Sequence, residues 1–270
     1  TLGLTAGTGN IDFNGIVGGG DALGKVTVSS AGTITTAGAF NAAGLEWTST
    51  GETQLGGLVT STAVVDLTAA LIDVNAGITA AGFEVELNSS NGLTIDGGNI
   101  TTTGGGNAAA GVIDINTTNG NSTINSSLIA QGGTATGAVG QAGGAVTIDT
   151  GASDTVTFGT GADINTSGSA ANLGDRDGGA GGAVTINTGD ALITLTDTTI
   201  TTSGGALTGG GADGAGGAVT FSDEVALATG GVTITTGDTA GNILFSDTLN
   251  GTQTLGLTAG TGNIDFNGIV

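Results

Sequence analysis

AGGAVTINT, residues 180–188, decides the fold, because it is one of three near-copies. The others are AGGAVTIDT at 142–150 and AGGAVTFSD at 215–223, with an eroded relative, AGVIDINT, at 110–117. Their core positions are spaced by roughly 33, 38 and 35 residues. Within each copy apolar and polar residues alternate, the period of a strand with one buried face. A second strand-like string lies between the copies: NITTTGG from Asn99, ADINTSG from Ala162, TTITTSGG from Thr198 and VTITTG from Val232. Short strands with Gly or Asn/Asp corners, repeated in coils near 18 residues, predict a parallel β-helix (β-solenoid), an all-β fold. In such a stack, equivalent residues form columns. Alignment of the copies places Val146, Val184 and Val219 in one inward column and Ile148, Ile186 and Phe221 in a second, two residues further on. The residues that follow, Asp149, Asn187 and Ser222, are short polar groups suited to a corner.

A longer repeat encloses the short one. TLGLTAGTGNIDFNGIV runs from Thr1 to Val17 and returns, residue for residue, from Thr254 to Val270. Residues 1–253 therefore make one period and residues 254–270 begin the next, with Phe13 and Phe266 equivalent. The expectation is a segment of a head-to-tail array in which residues 254–270 take the place of residues 1–17, so that the sheets run on. At 18–20 residues per coil, a period predicts about 13 coils and an axial length of roughly 60 Å. The crossover rule favours a right-handed helix.

The first third of the chain supports the same fold. Alternating runs at 10–13, 25–28, 33–36, 45–48, 64–67, 71–74, 83–87 and 93–95 read as strands. Residues 63–70 also allow two helical turns, but flanking Thr and Gly favour a strand. Phe13, Phe158, Phe245 and Phe266 occupy similar local contexts. Proline is absent, as expected where each strand interior must donate to a ladder.

Composition excludes several functions. Twenty-three acids face only Lys25 and Arg176, a net charge of −21. Nucleic-acid binding and adsorption to anionic membranes need basic residues that this chain lacks. No apolar run approaches the roughly 18 residues of a membrane span. Histidine and cysteine are absent, which removes the commonest general base and the thiol nucleophile, so no enzymatic role is expected.

The glycine-rich loops at 132–144, 168–182 and 204–217 recur at one place in successive repeats and should stack on one side of the solenoid. Asp175 and Asp177, in LGDRDGG, and Asp213, in GGADGAGG, could gather there around a hard cation such as calcium, although Arg176 between the acids favours plain charge pairing. Lys25 is expected to pair with Asp21. Trp47 reads as a core wedge, with a sugar-stacking platform as the other role open to it.

GTGNIDFNGIVGG at 7–19, LGKVTVSSAGTITTAGAF at 23–40 and GAGGAVTINTGDALITL at 179–195 resemble the β-strand repeats of large bacterial surface proteins grouped with filamentous-haemagglutinin-like adhesins. The resemblance covers nearly the whole chain and is one of style, with no diagnostic motif. It implies an extracellular or cell-surface solenoid serving as stalk, fibre or adhesin, and it brings no catalytic residues. The leading expectation is a structural fibre built by self-association of repeats, head to tail. The alternative is an adhesin that holds glycan or matrix on its loop face. A third reading, ice binding, is prompted by TxT strings at 33–35, 155–157 and 233–235, but these are scattered where ice binding needs a flat rank.

Overall fold

A computed structural model describes residues 1–137 and 139–270; Ala138, inside the 132–144 loop, lies outside the described residues. The chain folds into three parallel sheets, A, B and C, of 11, 10 and 9 strands. It visits A, B and C in turn, so three strands complete a coil and each strand pairs with its counterpart one coil away. The fold is the all-β parallel β-helix. All eight strand-like runs of the first third are strands; residues 63–70, for example, contribute Val65–Ala69.

Alternation in sequence becomes alternation in burial. Val85–Ser89 and Ile113–Thr117 bury every second residue and pair in unbroken register. The pairing continues Ile113 to Val146, Val184 and Val219, and Ile115 to Ile148, Ile186 and Phe221. These inward side chains are fully buried. Each contributes roughly 1.5–3 kcal/mol of hydrophobic stabilisation relative to exposure. Parallel stacking also places like on like: Phe221, Phe245 and Phe266 stack with ring centroids 4.9 and 5.2 Å apart and nearly parallel planes. Trp47 lies in the same column lower in the stack and is 1% exposed, between Phe13 and Phe40 at 5.7 and 5.0 Å. It is a core wedge, so the indole face is closed to a sugar. Its Nε1 has no hydrogen-bond partner among the described residues.

The coils are fewer and less uniform than the spacing predicted. Among the described residues sheet A counts 11 strands, so a period holds about ten coils and not 13. Consecutive coils are 19 residues apart from Val26 to Leu45 but 38 apart from Val146 to Val184. The units of about 36 residues are single three-stranded coils, not pairs of short ones. Their additional residues leave the prism between sheets C and A as the glycine-rich arms described below.

The long repeat does not close on a whole number of coils. In the first copy, Leu2–Thr5 lies in sheet A, Ile11–Phe13 in sheet B, and Val17 bridges Phe40 on side C. In the second copy, Leu255–Thr258 lies in sheet C and Ile264–Phe266 in sheet A; the Ile269 carbonyl then accepts from Leu249 N on side B. Identical sequence thus occupies A–B–C at one end and C–A–B at the other. The period is nine coils and two thirds, and the expected like-for-like replacement of residues 1–17 is displaced by a third of a turn.

Because ring stacking follows from the ladder register, Phe245→Ala opens a cavity between two rings. It is expected to lower unfolding free energy by about 3–5 kcal/mol. Urea denaturation followed by far-ultraviolet circular dichroism measures the loss.

Candidate functional site

The glycine-rich arms form an ordered slab. In each long coil an outgoing segment leaves sheet C, turns at a tip and returns to sheet A. Along the return segment the bonds repeat every three residues. Gly178, Gly181 and Val184 N–H groups donate to Ala212, Ala215 and Ala218 of the next coil. Gly179 and Gly182 donate sideways to Ser169 and Thr166 of their own outgoing segment. Ala180 and Ala183 take the third position and are exposed. The preceding coil repeats the scheme, with Gly140, Gly143 and Val146 donating to Asp177, Ala180 and Ala183. A period of three is that of extended polyproline-II chain, which has no internal bonds and offers its donors to neighbours on different sides. The requirement for glycine is close approach: a Cβ on Gly182 would collide with the Gly144 carbonyl oxygen, and one on Gly217 with that of Gly182.

A buried threonine closes the neck of three arms. Thr102, Thr166 and Thr202 donate their hydroxyls to the carbonyls of Gly111, Gly182 and Gly217, at 2.7, 2.7 and 2.6 Å. The N–H of each of those glycines returns a bond to the threonine carbonyl. Ala130 occupies this position in the coil between Thr102 and Thr166, where Gly144 N still donates to its carbonyl.

The candidate metal ligands sit at the arm tips, and their carboxylates serve the backbone. Asp175 Oδ1 accepts from Gly210 N at 2.6 Å, Asp177 Oδ1 from Ala212 N at 2.8 Å, and Asp213 Oδ1 from Leu207 N at 2.7 Å. Arg176 and Thr208 exchange backbone bonds as a short antiparallel bridge between neighbouring tips. Asp175 and Asp177 thus brace the adjacent tip and Asp213 its own. Among the described residues no three acids approach in a metal-binding cluster. Where the last long arm overhangs a short corner, a polar cleft of about 330 Å³ opens, lined by Ser203, Asp213, Asp238 and Thr239.

The outer face of sheet A carries a feature that the sequence reading did not assemble. Glu46, Asp66, Glu86 and Asp114 are paired in direct register, one per coil. Lys25 pairs with Glu46 at 2.5 Å at one end of this ladder, not with Asp21 as expected, because Glu46 stands over Thr27 in the next coil, on the outward face two residues from Lys25. Burial raises the Asp66 pKa above its usual range, reinforced by Glu86 and Glu46 and opposed by Lys25. Burial also raises that of Asp114, opposed by a hydrogen bond from Asn116 and reinforced by Glu86 and Asp149. Beside the acids, Asn116 donates to Asn88, and Asn88 to Glu86. Only alignment of the short first-third coils with the longer later ones could have shown the column, since its members lie 20 to 28 residues apart.

The two carboxyls bind protons more tightly folded than unfolded, so their contribution to stability falls as pH rises through the raised values. It is fully regained only below the ordinary pKa of 3.8. Asp66→Asn and Asp114→Asn are therefore expected to raise the melting temperature at pH 7. The advantage should shrink towards pH 4, as read by thermal denaturation across that range. In the slab, Gly182→Ala is expected to lower amide-exchange protection of residues 166–182 by about tenfold, equivalent to ~1.4 kcal/mol, whereas exposed Ala180→Ser leaves it unchanged.

No protein-family model, curated protein or solved structure matches the chain.

Proposed function

We propose that the chain is a structural protein, a length of an extracellular or cell-surface fibre or stalk whose repeats stack head to tail. The observation that carries this is the return of residues 1–17 as residues 254–270, with both copies built into the same three parallel ladders. Phe266 belongs to the inward column of Phe221 and Phe245 and stacks on Phe245, so the second copy continues the core as well as the ladders. A segment that repeats in sequence and joins the ladders by parallel pairing is suited to coil-upon-coil addition. The ladders run along the stack, so backbone bonds would carry axial load, and the net charge of −21 would oppose lateral clumping.

A second reading, an adhesin for glycan or matrix, is favoured by the arm tips. Val139, Leu173 and Leu207, on three successive arms, are exposed apolar residues on a hydrogen-bonded slab. Calcium held near Asp175, Asp177 and Asp213 would belong to this reading.

Cryo-electron imaging of the native material tests both. A thin fibre with a layer line near ~4.8 Å is expected. Discrete particles without an axial repeat would overturn the fibre reading. Loss of ligand binding with intact fibres, after replacement of residues 168–182 and 204–217, would establish the adhesive one.

A further inference from the structure

We infer that residues 254–270 are the seat for a further copy of residues 23–42, and that each successive period is turned by a third of a turn about the fibre axis. The arms then face three directions in rotation. This inference rests on the fibre reading and specifies its partner and symmetry.

The seat is identified by sequence identity. In the first copy of the 17-residue segment, one edge is covered. Leu2 and Leu4 pair with Val26 and Val28, Ile11 and Phe13 with Ile34 and Thr36, and Val17 with Phe40. The second copy uses its opposite edge. Leu255 and Leu257 pair with Val232 and Ile234, and Ile264 and Phe266 with Ile243 and Phe245. The edge that residues 1–17 present to residues 23–42 is therefore the one that residues 254–270 do not use toward the preceding coil. The two copies have the same sequence, the same inward residues and the same parallel polarity. A segment with the sequence of residues 23–42 accordingly fits this edge with partners already matched once in the same molecule.

The rotation follows from the phase. A strand equivalent to Val26–Ala31 must lie beside Leu255–Thr258, in sheet C, whereas Val26–Ala31 itself lies in sheet A. Every element of the next period moves from A to C, from B to A and from C to B. The arms, which leave between C and A, would leave between B and C in the next period and between A and B in the one after. Three periods of nine and two-thirds coils make 29 coils before the faces coincide. At one strand spacing per coil this is a true axial repeat of ~140 Å, against ~46 Å for one period. Residues 1–17 and 254–270 already show that one sequence can occupy two different sets of sides.

The chain has no cysteine, so paired substitutions report the phase directly. Leu244→Cys with Asp265→Cys is expected to cross-link under mild oxidation, because these outward residues are register partners in sheet A. If residues 264–266 instead lay on side B, like Ile11–Phe13, position 265 would stand over Asn250. Linkage of Asn250→Cys with Asp265→Cys would then overturn the phase. So would failure of both pairs when a control, Thr220→Cys with Leu244→Cys, links normally. In native fibres, images should show arm ridges at three azimuths and a ~140 Å repeat. Ridges in one row at ~46 Å would overturn the rotation while leaving the fibre intact. Absence of any fibre, with Leu244→Cys/Asp265→Cys still linked, would overturn the seat and the fibre reading but not the phase within the chain.

Discussion

The parallel ladder between coils is the constraint on which the rest depends. Its bonds hold each strand one spacing from the next, in register, so whatever stands at a position in one coil stands beside its counterpart in the following coil. Like therefore meets like. For apolar residues this is favourable: Ile148 meets Ile186, and Phe221 meets Phe245 with the rings stacked. For hydroxyls and amides it is also favourable, because a group that both donates and accepts can bond its own kind, as Asn116 does with Asn88. For carboxylates it is unfavourable. Glu46, Asp66, Glu86 and Asp114 stand in one column; burial raises the Asp66 and Asp114 pKa values, and the neighbouring carboxylates add to that rise. The same geometry that builds the core creates the charge repulsion on the surface.

The architecture was legible in the sequence wherever the ladder acts on inward residues. The AVT copies align because Val184 and Ile186 must match Val146 and Ile148 to fill the prism. Three features were not legible, for three physical reasons. Coil number was overcounted because loop residues were assigned to additional strands; nothing in spacing alone separates a long arm from a short coil. The order of the arms was missed because their bonds follow a period of three. Its trace in sequence, GGA-GGA-V at 178–184, is a signal distinct from strand alternation. The roles of Asp175, Asp177 and Asp213 turned on where their oxygens point. In the structure each binds a backbone N–H, a use that a D-x-D string does not distinguish from metal ligation.

The two structural systems meet at the threonine necks and obey different rules. In the prism, side chains interlock and the backbone stays one strand spacing apart within each sheet. In the slab, segments bond in more than one direction and approach until there is no room for a Cβ, so at 178–183 glycine takes two positions of each triplet and alanine the exposed third. Thr166 belongs to both, its backbone continuing the sheet C ladder and its hydroxyl tying down Gly182. Replacement by Ala130 in the neighbouring coil shows that the backbone bond alone keeps the neck closed there. The clasp adds to an arrangement that the ladder already enforces.

Unequal coils are tolerated because the ladder fixes only where a chain re-enters each sheet, not the path between sheets. An arm can lengthen a coil from 19 to 38 residues without moving Val184 off Val146. The number of residues in a period therefore does not determine the number of coils, and nothing obliges a repeat to close on a whole turn. A sequence period of 253 residues and a structural period of one coil are set by independent constraints. The sheets still run through the junction unbroken, because residues 254–270 present alternating inward side chains that fit beside sheets C, A and B as residues 1–17 fit beside A, B and C. Continuity of the core thus requires matching of inward residues at the junction and leaves the azimuth of each period free. In this chain the number of sheet visits between the two copies, and not the length of the arms, sets that azimuth a third of a turn away.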